Sequence, residues 1–230
     1  YVLETLKAAN EGCVSGKYRA LVTGPVHKAI IHNAGTPFQG HTQYFAQQTN
    51  SQVLMFFVCK TMKVALATTH IPLNQVAKQI DESLITQCIT ILSQGLSKYF
   101  SVDNPTILVT GINPHAGEDG TLGDEEQVML KPTLDSLRKA GHEIIGPVPA
   151  DTAFTAKYLQ QADAILAMYH DQALPVVKAQ GFGEAVNVTL GLPYLRTSVD
   201  HGTALDLAGT GQANHSSLKH AVQLALELTS

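Results

Sequence analysis

Val53–Thr68 reads VLMFFVCKTMKVALAT, and Thr69–Phe100 continues THIPLNQVAKQIDESLITQCITILSQGLSKYF. The first block holds two apolar runs, Val53–Val58 and Val64–Thr68, parted by Cys59-Lys60-Thr61. Runs apolar at nearly every position fit strands covered on both faces, and so short a polar break predicts a hairpin. In the second block Pro72 suits a first helical turn. Val76, Ile80, Leu84, Cys88, Ile91 and Leu92 then recur at three- and four-residue steps, predicting one helix to about Phe100 with Gly95 as its point of interruption. Further strand-like runs lie at Ala20–Thr23, Thr106–Thr110, Ala164–Met168 and Ala185–Thr189. Other helices are expected from Asp124-Glu125-Glu126 to Ala140-Gly141, after Asp151 as an N-cap, and from near Ser216 to the chain end. On that last helix Leu218, Val222 and Ala225 share a face. Strands alternating with helices give an α/β fold around a largely parallel sheet, which the hairpin makes mixed.

The 230 residues suffice for one large or two modest cores. A net charge of −4 and the lack of a basic stripe argue against nucleic acid as a partner. No apolar run is long enough to span a membrane, and no signal-peptide pattern is visible. Cys13, Cys59 and Cys88 form no CxxC pair, so buried thiols in a reduced, cytoplasmic compartment are expected.

Chemistry concentrates in a few places. His70, His115 and His170 each stand where an apolar run meets a polar turn. Ligands of open α/β sheets collect at the carboxyl ends of strands, so three imidazoles there point to one metal site. All-imidazole ligation suits zinc or another transition metal better than magnesium or calcium. The other histidines weighed, His27, His32, His142, His215 and His220, fit surface or helix-capping roles. Asp171 adjoins His170 and could orient an imidazole or hold a cationic group. Asn113–Gln127, NPHAGEDGTLGDEEQ, reads as a long Gly-rich loop opening a helix. Lys178, Asn187 and Arg196 make a candidate anion clamp. Gly40-His41-Thr42 and Thr23-Gly24-Pro25-Val26-His27-Lys28 each precede a helix, whose N-terminus attracts anions. Asp200–Asn214 is Gly-rich but lacks the GxGxxG spacing of a dinucleotide fingerprint.

The stretches TGPVHKAIIHNAG, GHTQYFA, ATTHIPL, GINPHAGEDGTLGDEE, GPVPADTAF, YHDQALPVVKAQGF and NVTLGLPYLRTSVDHGTALDLAGTGQAN resemble the 4-hydroxythreonine-4-phosphate dehydrogenase family of vitamin B6 (pyridoxal phosphate) biosynthesis. DHGTALDLAGTGQAN also resembles the nucleotide-binding loop of isocitrate and isopropylmalate dehydrogenases. The resemblance implies their three-layer αβα fold, with two domains and the active site in the cleft. Residues 1–39 with 191–230 would form the cofactor-side domain, and residues 40–190 the central metal, substrate and dimerisation domain. It implies metal ligation by His70, His115 and His170, with zinc first and magnesium, manganese or cobalt as alternatives. Substrate contacts would fall on His41, Thr42, Lys178, Asn187 and Arg196. NAD or NADP would meet Gly202, Thr203 and Asn214, and Asp171 and Lys28 are candidate proton-transfer groups. The implied protein is a cytoplasmic homodimer whose metal site is shared between subunits. The implied reaction oxidises 4-phosphooxy-L-threonine at C3, and the β-keto acid loses CO₂ to give 3-amino-2-oxopropyl phosphate. Family members extend further on the N-terminal side. Two alternatives remain open: a same-family dehydrogenase for D-threonate or D-erythronate 4-phosphate, and an inactive metal-binding fragment.

Overall fold

The computed structural model describes residues 1–181 and 183–230. Phe182, which ends the stretch YHDQALPVVKAQGF, lies outside the described residues. The chain opens with α1 (Val2–Val14), β1 (Ala20–Thr23), α2 (Lys28–Asn33) and α3 (His41–Thr49). The hairpin β2 (Leu54–Cys59) and β3 (Met62–Leu66) follows, then α4 (Leu73–Gln79), α5 (Glu82–Phe100) and β4 (Thr106–Thr110). After a long loop come α6 (Lys131–Lys139), β5 (Glu143–Val148), α7 (Ala150–Ala153), α8 (Ala156–Leu159) and β6 (Ala164–Ala167). The chain continues through α9 (His170–Gly181), β7 (Val186–Leu190), β8 (Leu195–Ser198) and α10 (Ser216–Glu227).

Contacts divide the chain into two units, Tyr1–Val53 with Gly183–Ser230, and Leu54–Phe182. The central segment expected from sequence ran from 40 to 190. Residues 40–53 group instead with the terminal segments, because Phe45 of α3 is fully buried in a cluster with Leu6, Leu21, Phe38, Leu192 and Tyr194. Residues 186–190 join them because β7 pairs with β8.

In the terminal unit β8 lies between β1, parallel to it, and β7, antiparallel to it. α10 packs on one face of these strands, where Thr197 donates a hydrogen bond to the Ala221 carbonyl. In the central unit the order is β2-β3-β6-β4-β5, with only β2 antiparallel. β2 and β3 pair from Met55–Leu66 to Cys59–Met62, so the expected hairpin turns on Lys60-Thr61. Ile85, Ile89, Leu92 and Leu96 of α5 are fully buried, as are Val64, Ile107, Leu108 and Leu166 of the sheet.

Several expectations are corrected. The helix predicted from Pro72 to Phe100 breaks at Ile80-Asp81 rather than at Gly95. Asp81 accepts a hydrogen bond from the Leu84 amide and caps a new helix, while Gly95 is buried within it. Asp151 is not an N-cap but lies inside the short helix α7, behind Pro149. On α10 the buried residues are Ser217, Ala221 and Ala225, whereas Leu218 and Val222 are exposed. Two strands, β5 and β8, and the helices α1 and α9 lay outside the sequence-based assignment, which read His170 as the start of a polar turn. β5 contains Gly146 and Pro147, which read as breakers but are tolerated in a strand paired on one side only, here to β4.

Candidate functional site

Two polar centres emerge, one in each unit. In the central unit β3 and β6 run parallel, with Val64 opposite Ile165 and Leu66 opposite Ala167. The pairing continues past the strands, where the Ala67 and Thr68 amides donate to the Ala167 and Met168 carbonyls at 2.8 and 3.1 Å. That register delivers His70 and His170 side by side, their ring centroids 5.5 Å apart. They line a cleft of about 430 Å³ with Thr69, Ile71, Leu73, Val76, Tyr169 and Asp171. His170 Nδ1 lies 2.6 Å from Asp171 Oδ1, a contact that fixes the ring and leaves Nε2 for a ligand.

His115 leaves the end of β4, on the other side of β6, and stands apart from that pair. Its Nδ1 is 4.0 Å from Asp151 Oδ2, and both side chains are mostly exposed. Among the described residues no group of three or more His, Cys, Asp and Glu side chains converges in a metal-holding arrangement. Two imidazoles at one cleft, one braced by a carboxylate, are a donor set suited to a transition metal.

The loop carrying His115 is unusual. His115, Ala116, Gly117, Glu118 and Asp119 have φ of 53, 53, 79, 41 and 54°, a left-handed turn in which only Gly117 is free of Cβ strain. Left-handed helical backbone costs about 1–2 kcal/mol for each non-glycine residue, so the surroundings must hold this turn in place.

In the terminal unit the centre is Arg196. It lies on β8 opposite Thr189 of β7, and the period of two puts Asn187 and Thr23 on the same face. Its guanidinium donates to Thr189 Oγ1 (2.7 Å), Thr23 Oγ1 (2.8 Å) and Thr42 Oγ1 (3.2 Å) and stacks over Phe45. The side chain is 3% exposed, its Nε has no partner, and neither has the buried Oδ1 of Asn187. Among the described residues no carboxylate forms an ion pair with Arg196. Burial pulls its pKa down to about 10, so it remains a cation at neutral pH. His41, the first residue of α3, stacks on Phe45. Its pKa falls to about 4, through burial first and then the charges of Arg196 and Lys28. The Lys28 amine packs against Gly40, 3.5 Å from where a methyl group there would stand. A buried cation held only by neutral hydroxyls, beside a lysine and a helix N-terminus, is a site for an anion.

Of the residues expected to contact substrate, His41, Thr42, Asn187 and Arg196 thus belong to the terminal unit, and Thr42 bonds Arg196 directly. Lys178 belongs to the central unit, exposed on α9. Gly202 and Thr203 lie in the loop before α10, and the side-chain Oδ1 of Asn214 accepts the Ser216 amide at the start of that helix. Sequence reasoning missed Thr189 and had Thr23 only as the first residue of the run leading into α2; the alternation around Arg196 could have placed both beside it. It also missed Gln172, whose side chain ties Thr110, Gly111 and Met168 together at the ends of β4 and β6.

The family described as pyridoxal phosphate biosynthetic protein PdxA matches residues 1–225. The chain belongs to this family. A 4-hydroxythreonine-4-phosphate dehydrogenase of Erwinia tasmaniensis is 56% identical over 229 residues, covering 99% of this chain and 69% of the relative. The solved 4-hydroxythreonine-4-phosphate dehydrogenase of Klebsiella pneumoniae superposes with a TM-score of 0.90 at 37% identity, covering 98% of this chain and 69% of that one. A terephthalate 1,2-cis-dihydrodiol dehydrogenase of Burkholderia xenovorans superposes with a TM-score of 0.71 at 26% identity, covering 96% and 70%. The PdxA-family chain described here shares the mixed, mostly parallel α/β fold of these dehydrogenases, and no described helix is long and apolar enough to cross a membrane.

Proposed function

We propose that the protein is an NAD(P)-dependent, metal-dependent 4-hydroxythreonine-4-phosphate dehydrogenase. It oxidises 4-phosphooxy-L-threonine at C3 and releases 3-amino-2-oxopropyl phosphate after loss of CO₂. The observation that carries this reading is the buried Arg196 guanidinium with no carboxylate partner and an unpartnered Nε. An anionic group of the substrate supplies the missing counter-charge. Thr23, Thr42 and Thr189 hold the guanidinium plane so that its free edge is set before the ligand arrives. Asn187 offers a second unsatisfied polar atom on the same face. Lys28, His41 and Lys178 add charge or hydrogen bonds for the phosphate and carboxylate ends of the substrate.

His70, His115 and His170 would hold the divalent metal, zinc before magnesium, manganese or cobalt. When bound, that metal supplies Lewis-acid polarisation of the reacting oxygen. Asp171 keeps the His170 ring oriented and takes up the carbinol proton, a role open to Lys28 only as the neutral amine. Gly202, Thr203 and Asn214 would contribute to the site of NAD or NADP, which when bound would supply the hydride-accepting nicotinamide. The working form is a cytoplasmic homodimer in which the metal site draws on both copies.

The test is steady-state turnover of 4-phosphooxy-L-threonine with zinc and either nicotinamide, following reduced cofactor and CO₂ together. Equal release of the two supports the proposal. Turnover of D-threonate or D-erythronate 4-phosphate with none of the amino substrate would replace it with the hydroxy-acid reaction. Loss of activity towards every substrate, with metal still bound, would leave an inactive metal-binding protein.

A further inference from the structure

We propose that Glu126 is a positioning residue. Its carboxylate holds the left-handed turn 115–119 and thereby fixes where His115 stands. Glu126 is fully buried, at the start of a single wide turn, Glu126–Leu130, that runs directly into α6. Its Oε1 accepts the backbone amides of Ile112 and Asn113 at 2.7 Å each, and its Oε2 accepts Asn113 Nδ2 at 3.0 Å. Ile112 and Asn113 are the last residues before Pro114, where the turn begins.

The same carboxylate backs the turn from inside. A methyl group on Gly117 would stand 2.7 Å from Glu126 Oε2, and one on Gly111 would stand 2.7 Å from the Ala116 backbone. The turn is therefore pressed against Glu126 on one side and against the exit of β4 on the other. Left-handed helical backbone is disfavoured for L residues and persists only where the surroundings over-determine it. Here Glu126 over-determines the turn through charge-assisted hydrogen bonds to both backbone amides at its entry, while Glu125 Oε2 shares the Asn113 side-chain amide at 2.7 Å. Glu126 points at the backbone rather than into the cleft, so it acts through His115. The structural claim stands without a ligand, whereas its weight in catalysis rests on the imidazole site proposed above.

The experiment compares metal-free wild type with Glu126→Met, Glu126→Gln and Gly117→Ala, by amide hydrogen exchange and by NMR of the histidine rings. Glu126→Met removes both acceptors at similar volume. It should speed exchange at Ile112, Asn113 and 116–122 by tenfold or more and shift the His115 ring signals. Amides of β6 and the rings of His70 and His170 should stay as in wild type. Glu126→Gln, which keeps one acceptor oxygen, should fall between the two. Gly117→Ala, which crowds the retained carboxylate, should reproduce the Met pattern. Wild-type exchange and an unmoved His115 ring in Gln and Gly117→Ala would overturn the proposal. So would acceleration that is uniform through β6. Zinc titration by calorimetry separates the two claims. A loosened turn with zinc affinity tenfold weaker supports both, whereas a loosened turn with unchanged affinity keeps Glu126 as the holder of the turn and removes His115 from the metal set.

Discussion

The Arg196 pocket and the His70–His170 cleft are built on opposite plans. Around Arg196 almost every polar atom is buried and oriented: three hydroxyls fix the guanidinium, Phe45 covers it, and Tyr194 bonds Asn10 nearby. Among the described residues, only the buried Arg196 Nε and Asn187 Oδ1 on that face are left without a partner. The histidine cleft is open, its two imidazoles are placed by strand register, and His170 is braced by the Asp171 carboxylate. A charged group that must grip an anion gains from desolvation and a rigid frame. Imidazoles that must accept an ion and a substrate need accessible nitrogens and exchangeable positions.

The largest effect expected from breaking this contrast is at the imidazoles. His115→Ala should weaken zinc binding about 1,000-fold, or about 4 kcal/mol, and remove nearly all turnover. Its melting temperature should stay near that of wild type, because the ring is exposed. Calorimetric zinc titration and thermal unfolding check this, and stoichiometric zinc with wild-type turnover would sink the assignment.

Arg196→Met should weaken binding of inorganic phosphate about 100-fold, roughly 2.7 kcal/mol, while leaving zinc affinity unchanged. Urea unfolding should show only a modest loss of stability, since relief of a buried cation that lacks a carboxylate offsets much of the cost of the lost threonine hydrogen bonds. A large stability loss would mean that the guanidinium is a structural tie rather than an anion receptor.

The third effect depends on pH. His41 titrates at about 4 when folded, against an ordinary 6.5, so below pH 6.5 the unfolded chain binds the extra proton first. The stabilisation is full above about pH 6.5 and is lost as pH falls towards 4, by about 2 kcal/mol once partial exposure of the ring is allowed for. His41→Gln should flatten that slope, which urea titrations across the range would show. The smallest effect is at Lys178. Lys178→Ala should raise KM for the phosphorylated substrate about tenfold, roughly 1.4 kcal/mol, with zinc affinity intact. An unchanged KM would remove Lys178 from the clamp.

Much of the central unit was legible in the sequence. VLMFFV and VALA are continuous apolar runs, and the hairpin followed from the short polar break Cys59-Lys60-Thr61 before the second of them. β8 was not legible, because LRTS carries a buried arginine and two hydroxyls where a strand pattern wants apolar residues. Those same residues make the pocket, so the feature that hid the strand is the feature that gives it work. The break at Asp81 was missed because Val76, Ile80 and Leu84 keep helical spacing straight through it. For the candidate site, the sequence singled out Arg196, Thr42, His41, His70 and His170. It could not show that Arg196 lacks a counter-ion, since that depends on what the sheet brings near it. Nor could it show the left-handed turn, because His115, Ala116, Glu118 and Asp119 are residues that normally avoid it.

The shared register of β3 and β6 also sets which changes the gene can tolerate. The spacing of His70 and His170 is measured out in peptide units from Leu66 and Ala167, with no side chain free to correct an error. One inserted or deleted codon in 67–69 or 168–169 would slide one imidazole past the other and turn it to the opposite face. The same change in the α8 region or in the loop after β8 would leave the pair where it is. Length variation among relatives should therefore spare those five positions even where the residues themselves differ.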